Sequence, residues 1–175
     1  EEDKQALLKF REQLNREFDV NLAENASVSA DNFRGDHPDF APGKCIDEST
    51  DTYWATDDSI QQARLFIDFG EPATFNRLML QEYIALGQRV HKFTFEIKKD
   101  GEYQEVTRGT TIGYKRALRF DEVKAAEARL TLQTKASCLT LSNLGIYHAS
   151  KLIPTPDAQF DLQGNLSFDT TKGIR

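Results

Sequence analysis

The densest run of oxygen-bearing side chains in the sequence is Cys45-Ile46-Asp47-Glu48-Ser49-Thr50-Asp51-Thr52-Tyr53-Trp54. Asp47, Ser49, Thr50, Asp51 and Thr52 offer oxygens within one short span, and a tight loop also turns backbone carbonyls inward. Calcium takes roughly six to eight hard oxygens in flexible geometry, so the spacing permits such a site. The plainer reading is a solvated turn in which Asp bonds its own backbone.

Catalytic arrangements are harder to find. Asp57-Asp58 is an adjacent carboxylate pair. Glycoside hydrolysis uses two carboxylates that flank a sugar from different elements, which neighbours on one loop do not provide. His37, His91 and His148 stand far apart, in no metal-ligand spacing. There is no Gly-x-Ser-x-Gly elbow and no phosphate-cradling glycine loop. Cys45 and Cys138 are too distant for a zinc knuckle or a redox pair. They read either as one long-range disulfide or as two buried thiols.

These residues must be held by elements, and the periodicity names them. Leu7, Phe10, Leu14 and Phe18 mark one helical face, predicting a helix over Asp3–Glu17 with acidic residues at its start. That helix is too short to stand alone, so its apolar face must dock on something. From residue 20 the period becomes two. Leu65, Ile67 and Phe69 face one way, as do Leu78 and Leu80, and Phe93, Phe95 and Ile97. Leu118 and Phe120, Leu130 and Leu132, and Leu144 and Ile146 continue the series. Turn signals at Gly70-Glu71-Pro72, Asp100-Gly101 and Gly109 separate the runs. Asp121–Ala128 is the one stretch where a helical turn competes. Many short alternating strands without helices between them predict an all-β antiparallel sandwich. Asp31–Pro42 and Asp47–Asp58 read as polar loops, where binding sites sit. Pro154 and Pro156 break the pattern, with a hairpin signal at Gln163-Gly164-Asn165. The expected organisation is a connector helix over 1–19, a β-sandwich over 20–150, and a tail or further module over 151–175.

Composition narrows the partners. The 175 residues are 39% hydrophobic and 29% charged, enough for a sizeable core. The formal net charge of −6 argues against nucleic acid, which needs a basic surface to release counterions. No apolar run approaches the roughly 18 residues of a membrane span. The chain opens on Glu1 without a signal-peptide pattern and so reads as a mature or trimmed fragment.

Several motifs together carry a family resemblance. Asp47 followed by Thr52-Tyr53-Trp54-Ala55-Thr56 resembles the signature of discoidin domains, also called coagulation-factor C-type domains, which include the family 32 carbohydrate-binding modules. Phe75-Asn76-Arg77-Leu78, the run Gln81 to Val90, the run Gly109 to Arg116 and Leu141-Ser142-Asn143-Leu144-Gly145-Ile146-Tyr147 narrow it. Together they resemble the discoidin-like domain that follows the catalytic barrel in bacterial α-L-fucosidases of glycoside hydrolase family 29, over about Val20–His148. The opening helix resembles the connector from that barrel.

The resemblance implies an eight-stranded jelly-roll sandwich and a structural calcium. Asp47, Thr52 and Asn143 would offer side chains to the ion, with carbonyls near Lys44 and Ser49. Asn143 stands where the family places Glu, and Glu48 where it places Gly. A sugar site would sit at the loop tips, with Arg34, Asp36, His37, Tyr83, Arg89 and Tyr114 as candidates beside Phe33. Each has a plain alternative: Tyr53 and Trp54 as core, Phe33 and Phe40 as staples of their loop, Tyr83 and Arg89 as an interdomain face, Arg116 and Arg119 as solvating a strand, His91 as surface.

The expected role is a non-catalytic module binding terminal sugars of glycans, or bracing the barrel of the same polypeptide, in an exported fucosidase. A purely structural module, or a protein- or lipid-adhesion domain, is the alternative, although polar acidic loop tips disfavour membrane. The implied compartment is periplasmic or secreted, in a bacterium. Asn25-Ala26-Ser27 and Asn165-Leu166-Ser167 match the glycosylation pattern, which matters only in a eukaryotic secretory route.

Overall fold

A computed structural model describes residues 2–149, 158–160 and 166–168. Helix α1 spans Glu2–Glu17. Eight strands follow: β1 (Ser27–Ala30), β2 (Trp54–Ala55), β3 (Gln62–Gln81), β4 (Val90–Lys99), β5 (Glu102–Gly109), β6 (Arg116–Thr134), β7 (Thr140–Leu141) and β8 (Asn143–Tyr147). Two short strands, β9 (Ala158–Phe160) and β10 (Leu166–Phe168), pair antiparallel where the hairpin signal lies. The rest of the predicted tail lies outside the described residues.

Two long strands carry the architecture. β3 and β6 pair antiparallel along most of their length, with register shifts between Asp68 and Ala73 and between Phe75 and Arg77. Gly70 takes a left-handed φ of 75° in the first shift, a conformation cheap only for glycine. On one side of that break β3 pairs β1, and β6 pairs β4, which pairs β5. On the other side β3 pairs β8. The result is a β-sandwich made from two halves of shared strands. Segment 121–128, where a helical turn competes in the sequence, is strand throughout, because its backbone is paired to β3 as far as Ala73 and Thr74.

The core lies between these halves. Leu65, Ile67, Phe93, Phe95, Leu130 and Leu132 come from one, and Phe75, Leu78, Leu80, Leu144 and Ile146 from the other, all buried. Phe75 and Phe120 reach across to Phe95, with ring centroids 6.2 and 6.1 Å apart. Fully burying one such ring contributes roughly 1.5–3 kcal/mol. Trp54 is fully buried, with its indole N–H donating to the Asn32 carbonyl at 3.0 Å.

Polar clamps close one end. Glu17, 4% exposed at the end of α1, accepts from Arg77 Nε at 3.0 Å and lies 3.3 Å from Arg119 Nη2. Phe18 packs edge-on against Tyr147 at 5.1 Å. Asn21 accepts from the Ala23 and Ile146 amides. Asn76 and the Ala149 backbone bond each other reciprocally. By contrast Leu7, Leu8 and Phe10 on α1 are exposed. Within the described residues the helix is therefore anchored by its C-terminal end, and Leu7 and Phe10 of its predicted apolar face are uncovered.

Candidate functional site

The loop end of the sandwich is assembled by short-range backbone pairing. β2 pairs β7, Trp54 with Leu141 and Ala55 with Thr140. Thr56 and Leu139 exchange further bonds, and Ser59 donates to the Ser137 carbonyl. The first loop joins them through Asp57, which accepts from the Asn32 amide and the Gly35 N–H, both at 2.9 Å. Those bonds, Asn32 first, hold the Asp57 carboxyl below the usual carboxylate range. Asp57-Asp58 is thus more than a solvated acidic turn, since Asp58 also pairs with Arg34 at 2.7 Å.

A buried carboxylate organises the opposing loop. Glu82, 1% exposed, accepts three backbone N–H bonds, from Arg89 at 2.7 Å, Val90 at 2.8 Å and Gly113 at 2.7 Å. Arg89 Nε then donates to the Leu86 carbonyl, and Nη1 to Ser137 Oγ and Cys138 Sγ at 3.2 and 3.1 Å. A side chain held this way is positioned before any ligand arrives.

Between these loops opens a pocket of about 230 Å³. Arg34, Asp58 and Arg89 supply charge to it, and Phe40, Tyr53 and Leu86 apolar surface. Tyr53 stacks on Tyr83 at 4.1 Å with 15° between the planes, and Phe40 packs on Tyr53 at 5.6 Å. Thr140 also lines it, and its buried hydroxyl has no hydrogen-bond partner. The pocket is smaller than the roughly 300–1,000 Å³ of drug-sized sites, so it suits a single ring. An aromatic wall with a few held polar groups is the chemistry that recognises a sugar.

The structure brings three of the six sugar candidates to this pocket: Arg34 and Arg89 in its lining, and Tyr83 behind Tyr53. Asp36 and His37 are not in the lining. The backbone reverses at Gly35 and Asp36, with φ of 59° and 50°, and His37 Nδ1 accepts from the Asp39 N–H. Tyr114 is 68% exposed and also outside it. Tyr53 is a correction to its reading as core, because it faces the pocket, whereas Trp54 is core as expected. Phe40 likewise serves the pocket wall, while Phe33 packs on the core. Arg116 stacks over Phe93, and Arg119 belongs to the Glu17 clamp, so neither merely solvates a strand. Ser137 and Thr140 escaped sequence reasoning, having no motif of their own, while Asp58 and Cys138 drew notice there only as a carboxylate pair and as a thiol.

Both cysteines are free thiols, which removes the disulfide reading from this structure. Cys45 donates to the Pro42 carbonyl, and burial pushes its thiol up to about 12, so it is inert. Cys138 belongs to the pocket wall.

The acidic loop forms the turn its sequence suggests. Asp47 Oδ1 accepts from the Ser49 N–H, and Thr52 Oγ1 lies 2.8 Å from both Asp47 carboxylate oxygens. Glu48 holds a φ of 60°, the left-handed conformation a glycine adopts there without strain. The loop geometry therefore survives the change of residue, at a cost in backbone strain. β8, which begins at Asn143, packs on the turn Pro42–Cys45 that carries Lys44. Hard oxygens converging on one short loop fit calcium in kind. The set is lightly charged: among the described residues no three His, Cys, Asp or Glu side chains cluster.

Residues 25–143 match the family of F5/8 type C domains. The chain is 35% identical to an α-L-fucosidase 1 of Arabidopsis thaliana over 151 residues, 84% of this chain and 30% of that protein. A Ruminococcus gnavus GH29 fucosidase, solved in complex with fucose, superposes with a TM-score of 0.78 at 30% identity, covering 84% of this chain and 30% of that one. The chain thus spans under a third of the length of these relatives. A Clostridium perfringens module, solved in complex with GalNAc-β-1,3-galactose, superposes with a TM-score of 0.62 over 73% of this chain and 99% of that one. At 16% identity that likeness is one of fold alone.

Proposed function

The chain belongs to the F5/8 type C domain family, and from that premise we propose that it is a non-catalytic, carbohydrate-binding accessory module of an exported α-L-fucosidase. The reading rests on one observation: the pocket that joins an aromatic wall at Tyr53 to Arg34, Asp58 and Arg89. A sugar ring would lie against Tyr53, and its hydroxyls would bond the charged groups. Similarity to fucosidases supports terminal glycan sugars as the ligand class, and a periplasmic or secreted setting belongs to the same proposal. The test is an NMR titration of the chain with fucose, galactose and short fucosylated glycans. Shifts confined to Arg34, Tyr53, Arg89 and Thr140 at millimolar sugar are expected; unmoved resonances would reject glycan binding.

A structural calcium is part of the same proposal. Asp47, Thr52 and Asn143, with carbonyls near Lys44 and Ser49, would hold it. When bound, the ion would stiffen the loop that carries Tyr53 and take no part in chemistry.

A second reading has its own support. Leu7, Leu8 and Phe10 on α1, and Ile84 and Leu86 in the Glu82–Arg89 loop, are exposed apolar side chains. With the match covering under a third of the relatives' length, these surfaces suit docking to the catalytic barrel of the same polypeptide. Under that reading the sequence 1–19 is the connector and 20–150 the module it joins. Fucosidase turnover by the isolated chain would reject both readings.

A further inference from the structure

The pocket's charges do not balance, and the imbalance points to the kind of sugar it takes. Two guanidiniums line it against one carboxylate, in a chain whose net charge is −6. Arg34 is matched by Asp58 at 2.7 Å. Arg89 has no carboxylate partner among the described residues, and its donors meet a carbonyl, a hydroxyl and a thiol. Those contacts orient the guanidinium without neutralising it. A neutral sugar's hydroxyl accepts a charge-assisted bond from such a group, but only an anion also supplies the missing counter-charge. The unpartnered Thr140 hydroxyl is one further donor in the same wall.

We propose that this pocket selects a sugar bearing an anionic group, a carboxylate or a sulfate ester, with Arg89 as its counter-ion and Tyr53 as the face for its ring. The inference rests on the glycan-binding reading and narrows it. Arg34 contributes less, since Asp58 already occupies it.

The experiment is calorimetry on the 175-residue chain with galactose, galacturonic acid and galactose 6-sulfate, with acetate and inorganic sulfate as sugar-free anions. At low salt at least one acidic sugar should bind about tenfold tighter than galactose, and the two acids separate the carboxylate from the sulfate source. The preference should shrink as salt is raised, because the pocket is partly open to solvent. Arg89→Gln should bring the acid-to-neutral affinity ratio down to about one, and Arg34→Gln should reduce it less. Galactose binding as tightly as both acids would overturn the inference and leave glycan binding intact. No binding by any of the three sugars would overturn both. Sugar-free anions binding as tightly as the acidic sugars would reduce the site to an adventitious ion only, which also overturns it. If Arg89→Gln fails to fold, the acid-to-neutral ratio of the unaltered chain and its salt dependence decide alone.

Discussion

Two places in this molecule use the same parts, two arginines and one carboxylate, and do different things with them. At the helix end Glu17 is 4% exposed and meets Arg77, itself 7% exposed, with Arg119 alongside. At the loop end Asp58 is 68% exposed and, among the described residues, pairs with Arg34 alone, while Arg89 also lines the pocket. The first set is closed at its carboxylate, which is buried and met by both guanidiniums. The second is open and carries a spare guanidinium. Residue type does not separate a brace from a proposed binding site here; burial and pairing do.

The sharpest way to break that contrast is Glu17→Ala. It leaves Arg77 buried without its counter-ion, and loss of one partner of a buried pair costs about 3–5 kcal/mol. Urea denaturation should show that loss, and Arg77→Met on top of it should restore part, since the uncompensated charge is then gone. A loss no larger than that of Asp58→Ala would show the two ends to be equivalent. For Asp58→Ala the expected change is within about 1 kcal/mol, the range of exposed pairs.

Glu82 shows how the open end keeps its shape. Its carboxylate accepts three backbone N–H bonds with almost no exposure, so Glu82→Ala strands three donors at once. Hydrogen bonds to charged groups contribute about 1.5–3 kcal/mol each and are not additive, so a loss of about 3 kcal/mol is expected in urea. The Arg89 signals should broaden or move in NMR spectra while those of Arg77 stay put. Unchanged Arg89 resonances would mean that Ser137 and Leu86 suffice to hold it.

How much of this was legible in the sequence follows the same division. The sandwich halves were readable because a strand's two faces alternate: Leu65 and Ile67, Phe93 and Phe95, Leu130 and Leu132 announce one buried face each. β6 was hidden over 121–128, because pairing to β3 overrides weak local preference there. Arg34 and Arg89 could be named as candidates, and the structure places them in one pocket. Their meeting could not be read, since it depends on β2 pairing with β7 and on Glu82 folding its loop. Asp36 and His37 followed Arg34 in the sequence but not into the lining, because the chain reverses at Gly35. The Glu17 clamp gave no signal at all, as an ion pair between distant residues has no local pattern.

The acidic loop offers an intermediate case, held by local bonds and awaiting a test of its ion. If calcium binds there, saturation at about 100 times its dissociation constant adds about 2.7 kcal/mol. Chelation should then lower the melting temperature and added calcium restore it. Asp47→Asn should remove that response while leaving the Glu17 clamp intact. An unchanged melting temperature with chelator and with added calcium would take the ion out of the account.

The smallest expected effect lies at Asp57, and it sharpens what separates an exposed carboxylate from a buried one. Its carboxyl, half-buried, is held below the usual range by the Asn32 amide and then the Gly35 N–H. A depressed carboxylate stabilises the fold above its unfolded value, near pH 4, and that contribution is lost as pH falls through the lower folded value. Asp57→Asn should therefore be slightly less stable than the unaltered chain at pH 7, and the gap should narrow as pH falls below about 4. Urea midpoints at both pH values read the sign directly. A gap that stays constant across that interval would show that Asp57 acts through shape alone, and that the bonds to Asn32 and Gly35 place Arg34 without help from charge.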